Sequence, residues 1–139
     1  MIVVRNYETG HFAEVVGLWN TVFPDPAPWN DPARIIADKL LVQRELFLIA
    51  ADDGAVVGTA MAGYDGHRGW LYTIAVDPAR QRQGIGSKLL VEAEARLVAM
   101  GCGKVNLQVR ADNAGVAAFY RAHGFAVEER VSMGKRLPG

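Results

Sequence analysis

What this sequence most plainly lacks is a surplus of charge of either sign. Lys plus Arg and Asp plus Glu both number 15 in 139 residues, a formal net charge of zero. Without a basic field, nucleic acid and anionic membrane are excluded as main partners. Cysteine is nearly absent: Cys102 stands alone, permits no internal disulfide, and between Gly101 and Gly103 reads as a small turn residue rather than a nucleophile. Long hydrophobic runs are missing, the longest (46–51) falling far short of the ~20 residues a membrane-spanning helix needs. The Met-Ile-Val-Val-Arg start has no signal-peptide layout, so a cytoplasmic location is expected. There is no internal repeat and no low-complexity segment. The length indicates one domain over 1–139, able to bury about two thirds of its unfolded surface.

Proline is scarce except in residues 24–32, which hold four of the six and so form a stiff connection. Around it, the apolar spacing alternates between helix and strand. Residues 2–5 read as a strand, and Thr9 as the N-cap of a helix carrying Phe12, Val15, Val16, Trp19, Val22 and Phe23. Asp31-Pro32 supplies an N-cap and a first-turn proline for a second helix, with Ile35, Ile36, Leu40 and Leu41 inward. Strands follow at 46–51, 56–64 and 70–76, joined by turns at Asp52-Asp53-Gly54 and at 65–69, with Gly58 and Gly63 as weak points or bulges. A helix over 85–100, with Ile85, Leu89, Leu90, Ala93, Leu97 and Val98 on one face, closes at Gly101. A strand at 104–109, a helix at 116–123 and a final extended stretch at 125–136 complete a mixed sheet flanked by helices.

The centre of the chain is residues 76–90. An apolar strand stops at Asp77-Pro78, passes through a polar turn and restarts as a helix. The first turn of a helix has amide N–H groups without intrahelical partners and the positive end of the helix dipole, and two glycines let an anion reach the backbone. This is a phosphate site. It is not a P-loop, because Gly86-Ser87-Lys88 has no glycine at the required upstream position. Nor is it a dinucleotide loop, since Leu89 stands where the third glycine would be.

What remains, Gln81-x-x-Gly84-x-Gly86 after a strand ending Val-Asp-Pro, resembles the acetyl-CoA pyrophosphate loop of the GNAT acetyltransferase superfamily. Downstream, Asn113, Ala117, Phe119-Tyr120 and Gly124-Phe125 are similar to the second signature of that family, in the right order. The resemblance covers residues 1–136 and is strongest to small bacterial YpeA-type members. It implies the acyl-CoA N-acyltransferase fold, an α/β (α+β) mixed sheet, mostly antiparallel, with a splayed parallel strand pair flanked by helices. It further implies an N-acetyltransferase that uses acetyl-CoA, needs no metal, and acts on a primary amine of a small molecule or protein in a ternary complex. A homodimer is left open.

Carried onto this chain, the resemblance has the backbone of Ile74, Ala75 and Val76 bonding the pantetheine arm. The amides of Gln81, Arg82, Gln83, Gly84, Ile85, Gly86 and Ser87 would cradle the pyrophosphate, and Asn113 would reach the cofactor from the other side. An alkylammonium has no lone pair and a pKa near ~10.4, so a base must remove a proton before attack. The thioester oxygen then needs a hydrogen-bond donor, and the departing thiolate an acid. Tyr120 matches the family tyrosine with that last role, and would alternatively be a core aromatic beside Phe119. Some relatives carry a glutamate at the start of the fourth strand. Gly69-Trp70-Leu71-Tyr72 offers no carboxylate, leaving Tyr72, His67 and Asp65 as candidate bases, with His67 read equally well as an exposed turn residue. The acceptor is expected between the proline-rich connection (Trp29, Asn30) and the 64–69 turn (Tyr64, Asp65). There Trp29 and Asp65 would hold a cation, unless Trp29 only pins its loop. The alternative function is a catalytically silent acyl-CoA-binding or sensing protein.

Overall fold

Strand β2 (Phe47–Asp52) sets the architecture, because its apolar run has no polar face and must be covered on both sides. The computed structural model describes residues 1–139 and groups them into two compact units, Met1–Leu107 and Gln108–Gly139. In the first unit β2 lies between β1 (Ile2–Asn6) and β3 (Ala55–Tyr64), followed by β4 (Gly69–Val76) and β5 (Val105–Leu107). The order is sequential, every pair antiparallel except β4 with β5, which is parallel. The β2–β3 turn is read correctly from Asp53-Gly54: both have positive φ, 51° and 87°, as a two-residue type I′ turn requires.

Phe47, Ile49 and Ala51 point to one face, where they join Val15, Leu18 and Trp19 of α1 (Phe12–Val22) and Ile36 of α2 (Pro32–Lys39) in one buried cluster. Ala50 shares the opposite face with its partner Gly58, which lies under Ile85 and Leu89 of α3 (Ile85–Ala99). A Cβ at Gly58 would come within 3.0 Å of both side chains, so this glycine exists for close helix approach and not as a bulge. The bulges are elsewhere. Register slips beside Ala51, leaving Val57 unpaired, and again between Met61 and Ala62, where Tyr72 is the extra residue.

Inside the first face, Trp19 Nε1–H donates to Thr59 Oγ1 at 2.8 Å, with both residues fully buried. Thr59→Val removes the acceptor and strands the indole N–H, so we expect a loss of about 1–3 kcal/mol in urea unfolding without change of fold. An unchanged midpoint would mean that water or another group satisfies the indole.

Four sequence expectations need correction. The first helical turn is a 3-10 turn capped by Glu8, not Thr9; Glu8 and His11 form a reciprocal box, with Glu8 N–H donating to His11 Nδ1 at 2.9 Å. α2 stops at Lys39, two residues short of the last inward position the apolar spacing suggested, and leaves Leu41 85% exposed. Val98 lies outside the buried stripe of α3. Finally, β5 ends at Leu107, and residues 125–136 form no strand. Their alternating Val127, Val131 and Met133 look strand-like, but these side chains are exposed and the backbone enters no ladder, and a period-2 pattern without a partner does not fix a strand.

The second unit consists of α4 (Ala114–Ala122) and extended chain, with Gln108 Nε2 donating to the Ser132 hydroxyl. Asn113 caps α4 through its Oδ1, which accepts from Val116 N–H at 3.2 Å.

Candidate active site

The parallel pairing of β4 with β5 lasts only from Gly69 to Leu71, opposite Val105 to Leu107. Beyond Leu71, β4 keeps β3 as its partner and has none in β5. Asp77 N–H donates to Val57 O at 2.9 Å, so by strand alternation Thr73 and Ala75 also bond toward β3. Ile74 and Val76 therefore turn their N–H and C=O toward the open edge, where Gln81 Nε2 donates to Val76 O at 3.5 Å. The Ala75 side chain is buried in the core, and only its backbone is available.

That edge runs into the loop. Asp77 Oδ1 accepts from Ala79 N–H at 2.9 Å and closes a short 3-10 turn over Pro78–Arg80. Arg82 and Gly84 then take left-handed φ values of 65° and 75°. α3 starts at once, with no side chain capping Gly84; its first helical bond is Lys88 N–H to Gly84 O, 3.1 Å. Gln81, Arg82, Gln83 and Gly84 are exposed, and nothing lies within 4 Å of where a Gly84 Cβ would stand. Ile85 sinks its side chain into the core while its N–H stays at the helix start. Open space, uncapped amides and the dipole end are what a diphosphate fits.

Arg80, in the turn that precedes this loop, is held at 2.6 Å by Asp52 Oδ2 at the end of β2. The Arg80 guanidinium, and after it the Met1 ammonium, hold the Asp52 carboxyl below its ordinary range. A depressed carboxyl contributes stability above the unfolded value, lost as pH falls through the folded one. Asp52→Asn should thus melt below the parent at pH 7, and the two curves should converge at acid pH, below the ordinary carboxyl value of about 3.9. A gap that persists there would point to packing instead of charge.

At the other end of β4, Tyr64, Asp65 and Tyr72 come together around a cavity of about 300 Å³, with Lys39, Val42, Gln43 and Gly63. Gln43 completes its wall as a substitute strand: Nε2 donates to Tyr64 O at 2.7 Å and Oε1 accepts from Tyr64 N–H at 2.8 Å. Asp65 Oδ1 accepts from the N–H groups of Arg68 (2.7 Å) and His67 (2.8 Å), which keep its pKa below the ordinary range. A carboxylate so satisfied is a weak base. Burial, and then Asp65, push the Tyr72 phenol up, so it stays protonated at neutral pH. His67 is exposed on the turn and outside the cavity lining. Trp29 and Asn30 occupy a 3-10 turn at 28–30 and do not line it either, with Trp29 half exposed.

Lys39 and Gln43 were missed from sequence. The one available signal was a lysine at the inward position that continues Ile35 and Ile36 along α2, where an apolar residue belongs. A second hollow, of about 420 Å³, is lined by Ile2 and Val4 of β1 and by Ser87, Lys88, Val91 and Glu92 of α3. It lies off the β4 edge.

Within the second unit, the Tyr120 ring packs edge-on against Phe119 (5.1 Å) and Phe125 (5.5 Å). Burial raises its pKa, and its hydroxyl has no hydrogen-bond partner in the chain.

Comparison with known proteins agrees with this geometry. The model of the Acetyltransferase (GNAT) family matches residues 12–125. The chain belongs to the GNAT family. An acetyltransferase of Yersinia enterocolitica is 40% identical over 134 residues, 96% of this chain and 94% of that protein. One of Sodalis glossinidius is 41% identical over 135 residues, again 96% and 94%. Among solved structures, AAC(6')-Iy in complex with the bisubstrate analogue CoA-S-monomethyl-acetylneamine superposes with a TM-score of 0.83 at 19% identity, covering 99% of each chain. That likeness establishes the GNAT fold here, in which the opened β4 edge and the uncapped start of α3 are adjacent features.

Proposed function

We propose that this protein is an N-acetyltransferase that moves the acetyl group of acetyl-CoA to a primary amine by direct attack. The observation that carries the reading is the connection of β4 to α3, where an edge with no strand partner leads through the 77–84 loop to an exposed, uncapped helix start. Acetyl-CoA supplies the activated thioester. Ile74 and Val76 offer backbone groups that hold the pantetheine arm as an added strand and hydrogen-bond the thioester oxygen. The N–H groups of residues 81–87 bind the diphosphate, and the Asn113 side-chain amide adds a contact. Tyr120, neutral and with its hydroxyl uncommitted, gives its proton to the departing thiolate. The acceptor amine reaches the thioester from the Tyr64–Asp65–Tyr72 end of β4, with Trp29 and Asn30 at its approach. With Asp65 committed to its turn and Tyr72 protonated, the amine's proton leaves through water or His67. The reading covers residues 1–139 as one catalytic domain working in the cytoplasm.

Thiol release from acetyl-CoA across a panel of amines tests this. CoA formation that depends on one class of acceptor supports it. Tight acetyl-CoA binding with no CoA formed on any acceptor would establish the silent, acyl-CoA-sensing alternative.

A further inference from the structure

The cavity beside β4 is lined by a buried cation, Lys39. It is 8% exposed, its Nζ donates to Ala62 O at 2.5 Å, and no carboxylate lies within ion-pairing distance of it. An ammonium has three N–H donors, and one carbonyl engages one of them. Leaving a cation desolvated and unpaired costs several kcal/mol, which is why buried lysines are rare. Burial accordingly lowers its pKa, with Glu45 acting in the opposite direction. A methionine or leucine would continue the apolar stripe of α2 at no such cost.

Of the other polar groups of the lining, the Tyr64 hydroxyl donates to Gly66 O at 3.2 Å, the Tyr72 hydroxyl makes no hydrogen bond within the chain, and Asp65 is a carboxylate. Both ends of the Gln43 amide are spent on Tyr64, and Asp65 Oδ1 is spent on its own turn. The cavity presents the phenol rings of Tyr64 and Tyr72, the turn-bound carboxylate of Asp65 and one under-satisfied cation. Its volume lies at the small end of ligand pockets, about 300–1,000 Å³, and suits a metabolite better than a polypeptide.

We propose that this cavity seats the acceptor, and that Lys39 selects one bearing a carboxylate beside its amine, a free amino acid. The inference rests on the acetyl-transfer reading for its chemistry, but not for its binding. The carboxylate pairs with the spare N–H groups of Lys39, and the amine points along β4 toward the open edge. Neutral or polycationic amines, which leave the lysine unpaired, are the substrates it rejects.

The test offers the parent each common amino acid beside its carboxamide. It reads both acetylation kinetics and, with no acetyl-CoA present, the thermal shift produced by the compound alone. For the best acceptor, kcat/KM for the acid should exceed that for the amide about ten- to a hundredfold, the range for a hydrogen-bonded charge. Lys39→Met should abolish the preference through KM with kcat little changed, and Lys39→Arg should restore part of it. Acetylation of amides as readily as acids, or an acid preference that survives in Lys39→Met, overturns the proposal. So does a parent that binds neither form. A parent that binds acids in a Lys39-dependent way yet forms no CoA sustains it while refuting acetyl transfer. Should Lys39→Met fail to fold, the acid-to-amide ratios of the parent and Lys39→Arg decide.

Discussion

Gly84→Asp should lower acetyl-CoA affinity about a hundredfold or more in titration calorimetry while leaving the fold intact. The two effects separate because of where Gly84 sits. A carboxylate there meets the incoming diphosphate within a few ångströms, and like charges at about 4 Å repel by about 4 kcal/mol near a protein surface. The folded chain barely notices. No atom lies within 4 Å of the new Cβ. The left-handed φ of 75° costs about 1–2 kcal/mol for an ordinary residue, and less for aspartate. A negative charge at the helix start offsets about 0.3–1 kcal/mol of this. Gly84→Ala, with the conformational cost but no charge, should lose affinity only a fewfold. Undiminished binding in Gly84→Asp would place the diphosphate elsewhere and end the proposed function.

Tyr120→Phe should lower kcat about a hundredfold or more, the scale of a lost general acid, with acetyl-CoA affinity unchanged. The substitution is clean for a structural reason. The edge-on contacts with Phe119 and Phe125 belong to the ring, which phenylalanine keeps, and the hydroxyl leaves no partner behind. A donor must be protonated to act, so the parent's kcat should fall as pH rises through a phenol value lifted by burial above the ordinary tyrosine value of about 10. That alkaline limb should be missing in the variant. Equal turnover by parent and variant would reduce Tyr120 to the core aromatic that its apolar helix also allows.

Sequence spacing revealed those parts of the fold whose cause is local. The Asp53-Gly54 turn, the Asp31 cap with Pro32 behind it, and the glycine after α3 each follow from the residues that make them, and all three stand in the structure. The Gln81-x-x-Gly84-x-Gly86 loop was legible for the same reason, since a helix start and its free amides are properties of a few consecutive residues. The misreadings share the opposite cause. Whether Leu41 or Val98 is covered depends on what lies opposite, and whether 125–136 becomes a strand depends on a partner distant in sequence. The Arg80–Asp52 ion pair was not legible, because its partners stand 28 residues apart. Lys39 and Gln43 stayed hidden because a cavity is assembled from several elements at once, and none of them announces it alone.

The extra residue at Tyr72 decides which way the far half of β4 faces. Beyond the slip, every side chain of β4 has been handed to the opposite surface from the one an uninterrupted ladder would assign. Were Tyr72 an ordinary member of the ladder, Ala75 would leave the interior and the peptide groups at the open edge would be reversed, so the bulge sets both at once. Which peptide groups lie along the edge that leads toward the start of α3 is thus decided by one surplus residue several positions upstream.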